Sequence, residues 1–192
     1  MDKKPEGTIS LGVPGEHNVY NALSAIAAAR VLDIPMEAIK RGLGHFHGTN
    51  RRFEVKGEVG GLTIIDDYAH HPQEIAATLA AAKNYPHKKI WCVFQPHTYS
   101  RTAALLDDFA RVLLAADEVI LADIYAAREV NKLGVSANDI ALKMEEYGKH
   151  VHYLPSFDEI ETFILENCVP GDLLITMGAG DIVKVGEKLL GK

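Results

Sequence analysis

Short apolar runs rich in β-branched residues alternate with longer stretches of helical periodicity along most of this chain. Six such runs predict β-strands, at residues 53–58, 62–66, 89–94, 118–123, 150–154 and 172–177. The helical periodicity predicts helices at residues 72–84, 102–115, 137–147, 157–168 and 181–190. From residue 62 onward, the alternation predicts an α/β fold: a six-stranded, mostly parallel sheet with helices on both faces.

The pair Gly60-Gly61 lies between the first two predicted strands. Glycines supply the positive φ angles that a tight two-residue hairpin needs. We therefore expect the first strand to be an antiparallel edge of the sheet.

The first 50 residues follow a different pattern. A short strand-like piece at residues 8–11 precedes two predicted helices, at 18–32 and 35–43, with Pro35 in the first turn of the second. Several glycines then interrupt the periodicity. We interpret residues 1–47 as the tail of one domain with a hinge, and residues 48–192 as a second domain.

The composition is that of a globular protein, with 47% hydrophobic and 24% charged residues among 192. Lys and Arg total 20 against 26 Asp and Glu, and the net charge of -6 disfavours nucleic acid as a partner. Cys92 and Cys168 are too few for a disulfide framework. No apolar run reaches the roughly 20 residues of a membrane span, and the start MDKKPEGTIS lacks the apolar core of a signal peptide. We expect a cytoplasmic protein with no membrane partner.

Polar side chains gather where four predicted strands end, in the segments 67–72, 95–101, 123–129 and 177–181. These segments carry carboxylates, imidazoles, tyrosines and arginines. In an open parallel sheet, ligands bind beyond the carboxyl ends of the strands. The sequence therefore predicts a ligand site at this edge of the sheet.

Some of these residues have alternative structural roles. One of Asp66 and Asp67 is expected to be a turn or helix-cap residue, because Asp accepts hydrogen bonds from free helix amides. Adjacent histidines rarely chelate one ion, so we predict no metal site at His70-His71. Neutral rings that bind substrate fit better, with His71 as a structural residue before Pro72.

Two further segments could recognise an anion. Arg101 offers a planar fork that matches a carboxylate or a phosphate, and the alternative is a surface salt bridge. Gly178-Ala179-Gly180 could present free amides, although tight packing of strand against helix is the favoured role. The chain has neither a GxxxxGK[ST] phosphate-binding loop nor a GxSxG nucleophile motif. The loops therefore predict half of an active site.

Six strings resemble the Mur ligases, in particular the members that add L-alanine to UDP-N-acetylmuramate. They are GEHNVYNALSAIAAA at 15–29, FHGTNRRFE at 46–54, IDDYAHHPQEI at 65–75, VFQPHTYSRT at 93–102, DIYAAREVNKLGVS at 123–136 and ITMGAGDI at 175–182. DDYAHHP followed by QPHTYSR is the most specific combination, and the resemblance covers nearly the whole chain.

The resemblance implies a Rossmann-like C-terminal ligase domain, preceded by the last strand and helices of a central ATPase domain. In this family's step of peptidoglycan precursor synthesis, the muramate carboxylate takes the γ-phosphate of ATP. The amine of L-alanine then displaces phosphate to form an amide. The chain is accordingly expected to be a fragment that is inactive alone, its partners being the missing N-terminal and central domains. ATP and Mg²⁺ are expected in the full-length enzyme, and neither is expected to bind tightly to this fragment.

By position, the resemblance implies two groups of site residues. The expected nucleotide contacts are Asn18, Asn21, Arg52 and Asp67. The expected contacts to alanine and to the muramoyl end are Tyr68, His70, His97 and Arg101, with Arg101 as the partner for a carboxylate. No complete catalytic set and no metal ligand is expected in this chain. Two positions depart from the family, because Thr98 stands where many members have Arg and Ala69 where many have Gly.

Two other functions stay open at this point. The chain could be a stand-alone nucleotide- or amino-acid-binding regulatory domain of the same fold. It could also be a hydrolase in which Asp67 and His70 act together as the general base. The absent nucleophile motif makes this the weakest of the three hypotheses.

Overall fold

In the computed structural model of this chain, the structure describes residues 7–13 and 15–192, apart from the side chain of His17. Residues 1–6, which include much of the start predicted to lack a signal peptide, lie outside the described residues. The chain divides into two compact units, Met1–Thr49 and Asn50–Lys192. None of the helices in the described ranges is long and apolar enough to span a bilayer.

The described part of the first unit contains two helices, α1 (Glu16–Val31) and α2 (Met36–His45). Gly15 precedes α1 with a φ of 99°, so this helix begins two residues before its predicted start. Pro35 is the residue before α2 rather than part of its first turn. Among the described residues of this unit, the buried side chains are Ala22 and Ile39. The unit thus has almost no core of its own.

The predicted strand at residues 8–11 is wrong, because these residues form no β-pairing. A strand exists through hydrogen bonds to a neighbouring strand, and the described part of this unit offers no other strand. The alternating apolar residues Ile9, Leu11 and Val13 instead line an open groove of about 510 Å³, together with residues of α1 such as Leu23.

The second unit is built on a six-stranded sheet, which confirms the predicted fold class. Its strands are β1 (Glu54–Val59), β2 (Leu62–Asp67), β3 (Ile90–Phe94), β4 (Glu118–Leu121), β5 (His152–Tyr153) and β6 (Leu173–Met177). They lie in the order β1-β2-β6-β3-β4-β5, and only the β1–β2 pair is antiparallel. In the β1–β2 hairpin, Val59 pairs with Leu62, and Gly60 and Gly61 have φ angles of 58° and 80°. These positive angles are those that a two-residue turn requires.

Six helices accompany the sheet. They are α3 (Pro72–Ala82), α4 (Tyr99–Ala104), α5 (Leu106–Leu113), α6 (Ala137–Glu146), α7 (Phe157–Asn167) and α8 (Val183–Leu189). The single helix predicted at 102–115 is therefore wrong, since the chain leaves helical geometry at Leu105, where φ is -118°. Asp107 and Asp108 lie in the first turn of α5, where negative charge favours a new helix N-terminus.

Buried apolar side chains form a core on each face of the sheet. Every residue of β3 and β6 is buried, as expected for parallel strands covered on both sides. Successive side chains point to opposite faces. Phe94 therefore packs with Phe109 and Leu79 on one face, whereas Val93 packs with Ile164 on the other.

A matched pair of leucines tests this core. Leu79 in α3 is fully buried, whereas Leu165 in α7 is 70% exposed. Leu79→Ala leaves a cavity and is expected to lower the free energy of unfolding by about 2–5 kcal/mol. Leu165→Ala should change it by no more than about 0.5 kcal/mol.

The measurement is urea unfolding followed by the fluorescence of Trp91, the one tryptophan of the sequence, which is buried in the second unit. Equal effects of the two substitutions would contradict the described packing.

Candidate functional site

The loops that follow β2, β6, β3 and β4 meet at one edge of the sheet. These four strands are consecutive neighbours in the sheet order. The backbone N–H of Gly178 donates to the carbonyl of Asp67 at 3.0 Å, and that of Gln95 donates to the carbonyl of Met177 at 2.9 Å. A parallel bridge joins His97 to Tyr125. The polar segments predicted to share this edge therefore do so.

The four predicted substrate residues are brought together here. The ring centroids of Tyr68 and His70 lie 5.5 Å apart, and those of His70 and His97 lie 6.0 Å apart. Arg101 Nη1 lies 3.4 Å from His97 Nδ1. Tyr125, which the sequence analysis did not select, stacks on the other side of His97 at 5.5 Å. Side chains from three loops thus form one half-exposed cluster.

Hydrogen bonds assign complementary roles to the two imidazoles. Nδ1 of His70 lies 3.0 Å from the carbonyl of Tyr68 and 3.4 Å from the carboxylate of Glu74. Because Nδ1 faces two acceptors, it is the donor, and in the tautomer with this proton Nε2 is the acceptor. Nδ1 of His97 instead accepts from Arg101, so its proton is on Nε2. One ring offers an acceptor and the other a donor.

The pKa of His97 is lowered from its ordinary value near 6.5. Burial is the largest cause, and the positive charge of Arg101 and the neighbouring His70 act in the same direction. Each of these disfavours the imidazolium. The lowered pKa favours the neutral imidazole of His97 at neutral pH.

The two carboxylates that end β2 are buried and fully engaged. Asp67 accepts from the backbone N–H groups of Phe53 and Ala69, both at 2.8 Å. Asp66 accepts from Arg51 Nε and from the hydroxyl of Thr176, also at 2.8 Å each. Burial raises the pKa of both carboxyl groups, and these hydrogen bonds oppose the rise.

Neither Asp caps the following helix, although one of them was expected to be a turn or cap residue. The residue at the N-terminus of α3 is His71, whose Nδ1 accepts from the N–H of Gln73 at 3.4 Å. Glu74 completes the cap by accepting from the N–H groups of His70 and His71. Asp67 instead forms the turn that leads to Ala69.

Arg51 is a site residue that the sequence analysis missed. Its guanidinium donates to Asp66 at 2.8 Å, to the carbonyl of Gly178 at 2.8 Å and to the carbonyl of Gly180 at 3.0 Å. It also lies 4.9 Å from the ring centroid of Tyr68. The one available signal was a strand ending in two carboxylates that need a buried cation.

The neighbouring Arg52 was predicted to contact nucleotide, and this role stays a prediction. Its side chain is 53% exposed, and Nη1 lies 3.8 Å from the carboxylate of Glu74. Its guanidinium carbon also lies 6.0 Å from the ring centroid of Tyr68. Arg52 is therefore held more loosely than Arg51.

The segment Gly178-Ala179-Gly180 after β6 packs closely against its neighbours. Tight packing was the role that the sequence analysis favoured for it. A Cβ on Gly178 would lie 2.7 Å from the carbonyl oxygen of Gln95. One on Gly180 would lie 2.7 Å from the ring of Tyr125. The carbonyls of both glycines accept from Arg51. This close approach accounts for the small residues.

Asn18 and Asn21 lie in α1 of the first unit, one helical turn apart, and Asn21 Nδ2 donates to Asn18 Oδ1 at 3.2 Å. Asn18 is the third residue of α1, so it is not the cap residue. The two amides therefore share one face of the helix, and their predicted nucleotide role stays a prediction.

The two positions at which this chain departs from the family, Thr98 and Ala69, have different surroundings. Thr98 precedes α4 with a φ of 70° and is held by its N–H bond to the carbonyl of Tyr125, a backbone conformation that is strained for a β-branched residue. Ala69 lies in the loop between β2 and α3 and is fully buried. Within the described ranges, no group of three or more His, Cys, Asp or Glu is arranged to hold a metal ion.

Comparison with known proteins identifies relatives of this site. A family profile described as "Mur ligase, glutamate ligase domain" matches residues 51–180. The UDP-N-acetylmuramate–L-alanine ligases of Lachnospira eligens and Agathobacter rectalis are 61% and 60% identical over 95% and 96% of this chain. The crystal structure of UDP-N-acetylmuramate–alanine ligase from Thermotoga maritima is 30% identical, with a TM-score of 0.81 over 95% of this chain and 39% of that one. The chain spans about 40% of the length of the two curated relatives.

The electrostatics of the cluster give a pH prediction. Because His97 binds a proton less readily when folded, the unfolded chain takes up that proton first as the pH falls below about 6.5. This ring alone therefore makes the folded state less stable as the pH falls from that value to its folded pKa. Arg101→Met removes a nearby positive charge and should raise the pKa of His97.

The measurement is an NMR titration of the His97 ring in the unchanged chain, in Arg101→Met and in Arg111→Met. Arg111 lies on the exposed surface of α5, so its loss should leave His97 unaffected. An unchanged pKa in Arg101→Met would show that the two side chains are not in contact.

Proposed function

We propose, from the premise that this chain belongs to the Mur ligase family, that it forms the C-terminal part of an ATP-dependent ligase. That enzyme joins L-alanine to UDP-N-acetylmuramate in the synthesis of peptidoglycan precursors in the cytoplasm. The observation that carries the proposal is the cluster of Tyr68, His70, His97 and Arg101 at the carboxyl edge of the sheet. Its side chains match an amino acid in charge and hydrogen bonding.

Arg101 would bind the carboxylate of the incoming alanine. Its guanidinium is partly buried beside the neutral imidazole of His97, and no carboxylate of the described residues is paired with it. A hydrogen bond to a charged group contributes about 1.5–3 kcal/mol. A carboxylate bound there would place the alanine amine near His70.

The imidazole of His70 would take the proton that the alanine ammonium group loses before it attacks. Its Nε2 is an acceptor, because Nδ1 faces the carbonyl of Tyr68 and Glu74. An ammonium group cannot attack a carbonyl until it loses a proton. Tyr68 and Tyr125 flank the imidazoles and would exclude water from the activated carboxyl group.

The nucleotide would be contacted by other residues of this chain. Arg52 is exposed enough to reach a phosphate, and Asn18 and Asn21 offer amide groups on one face of α1. Asp67 would act through the loop it organises, because both its oxygens already accept backbone hydrogen bonds. Since the described residues form no metal site, Mg²⁺ would be held by residues elsewhere in the enzyme.

The first unit is proposed to be the last part of a central ATPase domain. Ala22 and Ile39, the buried side chains in the part of this unit that the structure describes, are too few for an independent core. The apolar residues that line its groove are expected to pack against further chain in the complete enzyme. On this proposal, the chain alone catalyses no ligation.

A chimera tests the function. The matched segment of the L. eligens ligase is replaced by this chain, and phosphate release from ATP is measured with UDP-N-acetylmuramate and L-alanine. We expect release that depends on L-alanine and comes within about tenfold of the parent enzyme. Arg101→Met in the chimera should lower kcat/KM for L-alanine by about 10- to 150-fold, because a charge-assisted hydrogen bond is lost.

Arg111→Met serves as the control and should leave these kinetics unchanged. A chimera that folds but shows no alanine-dependent phosphate release would contradict the proposal. Ligation by the chain alone would contradict its partial nature. Tight calorimetric binding of ATP or L-alanine to the chain alone would favour the regulatory-domain hypothesis instead.

A further inference from the structure

We propose that Arg51 is a positioning residue, which holds Tyr68 and Arg52 in place without touching substrate itself. Both lie at the ligand edge, the side of the sheet where the loops after β2, β6, β3 and β4 meet. The inference rests on the proposed function for its kinetic consequence, although its structural part concerns this chain alone. Neither the family resemblance nor the sequence pattern assigns this arginine a role.

The side chain of Arg51 joins two strand ends. Three of its N–H groups have acceptors: Asp66 at the end of β2, and the carbonyls of Gly178 and Gly180 after β6. A planar guanidinium can donate in these divergent directions at once, whereas the ammonium of a lysine is a single point of charge. The fork therefore fixes its own plane relative to both loops.

The plane so fixed supports Tyr68. The guanidinium carbon lies 4.9 Å from the centroid of the Tyr68 ring, within the range of a cation–π contact. The backbone N–H of Tyr68 also donates to the carbonyl of Arg51 at 2.7 Å. Side chain and main chain of one residue thus hold the tyrosine by two independent contacts.

Arg52 is positioned through the backbone. Arg51 adopts a φ of 59°, and Phe53 adopts a φ of 48°. Arg51 is anchored by its side chain, and the N–H of Phe53 is anchored by Asp67 at 2.8 Å. Arg52 lies between these two fixed residues. Its side chain approaches Glu74 at 3.8 Å and the Tyr68 ring centroid at 6.0 Å, and Arg51 itself holds that ring. Arg51 therefore positions Arg52 through the backbone and through Tyr68.

The choice of variants follows from the buried partner. Removing Arg51 alone would leave the buried carboxylate of Asp66 without its cation, which destabilises a protein strongly. Arg51→Lys keeps a positive charge but loses the fork. The double variant Arg51→Met with Asp66→Asn removes both charges. Arg111→Lys is a matched control, because Arg111 also pairs with a carboxylate, Asp107, and lies 5.0 Å from a tyrosine ring, that of Tyr147.

The structural arm uses this chain by itself. NMR spectra of selectively labelled tyrosine should show the Tyr68 ring signals shifted in Arg51→Lys and in the double variant, with the Tyr153 signals unchanged. Arg111→Lys should move the Tyr147 signals and not those of Tyr68. Unchanged Tyr68 signals in both Arg51 variants would overturn the proposal, whatever the function of the protein.

The kinetic arm uses the chimera with the L. eligens ligase. Misplacement of site groups by about 1 Å costs up to roughly 100-fold in rate, so we expect Arg51→Lys to lower kcat/KM for both ATP and L-alanine by about 10- to 100-fold. The unfolding midpoint should fall far less than in the Leu79→Ala variant. Arg111→Lys should leave kcat/KM unchanged for both substrates.

The two arms separate the possible failures. An inactive chimera with shifted Tyr68 signals would contradict the proposed function and support the positioning role. An active chimera whose Arg51→Lys variant keeps full kcat/KM for both substrates would overturn the positioning role and leave the proposed function standing.

Discussion

Two adjacent buried carboxylates at the end of β2 are the constraint on which the ligand edge depends. Taking a carboxylate out of water is costly unless hydrogen bonds replace its hydration. Asp66 and Asp67 point to opposite sides of the strand, so each requires its own donors. The donors come from Arg51, Phe53, Ala69 and Thr176. The segments that carry these donors cannot move away without leaving a buried carboxylate unpaired.

This constraint separates the rigid and the available parts of the edge. The groups that satisfy the carboxylates are occupied by them, whereas the outer layer of Tyr68, His70, His97 and Arg101 is partly exposed. Arg51 and Arg52 show the division within one dipeptide, because the first has three hydrogen-bond acceptors and the second is half exposed. On the proposed function, a ligand binds to the outer layer without breaking the buried hydrogen bonds.

The sheet and the meeting of polar loops at the carboxyl ends of its strands were predictable because their signals are local. Strands such as 90–94 are apolar at every position, and Gly60-Gly61 marks the hairpin. The role of Arg51 was not, because its acceptors Gly178 and Gly180 lie 127 and 129 residues away in sequence. The strand-like pattern at residues 8–11 belongs to residues that line a groove. Local periodicity reports the polarity of a face, but not which neighbour covers it.

The outer strand β1 also affects whether another strand can pair with the sheet. Its register against β2 shifts between Val55 and Gly57, so that Lys56 is an extra residue that bulges from the strand. Bulges and charged side chains on an outer strand prevent a second molecule from adding its own strand there. The opposite border, β5, is only two residues long and offers little backbone for pairing. Both borders therefore protect this apolar sheet from edge-to-edge aggregation, which matters most for a protein whose strands are buried on both faces.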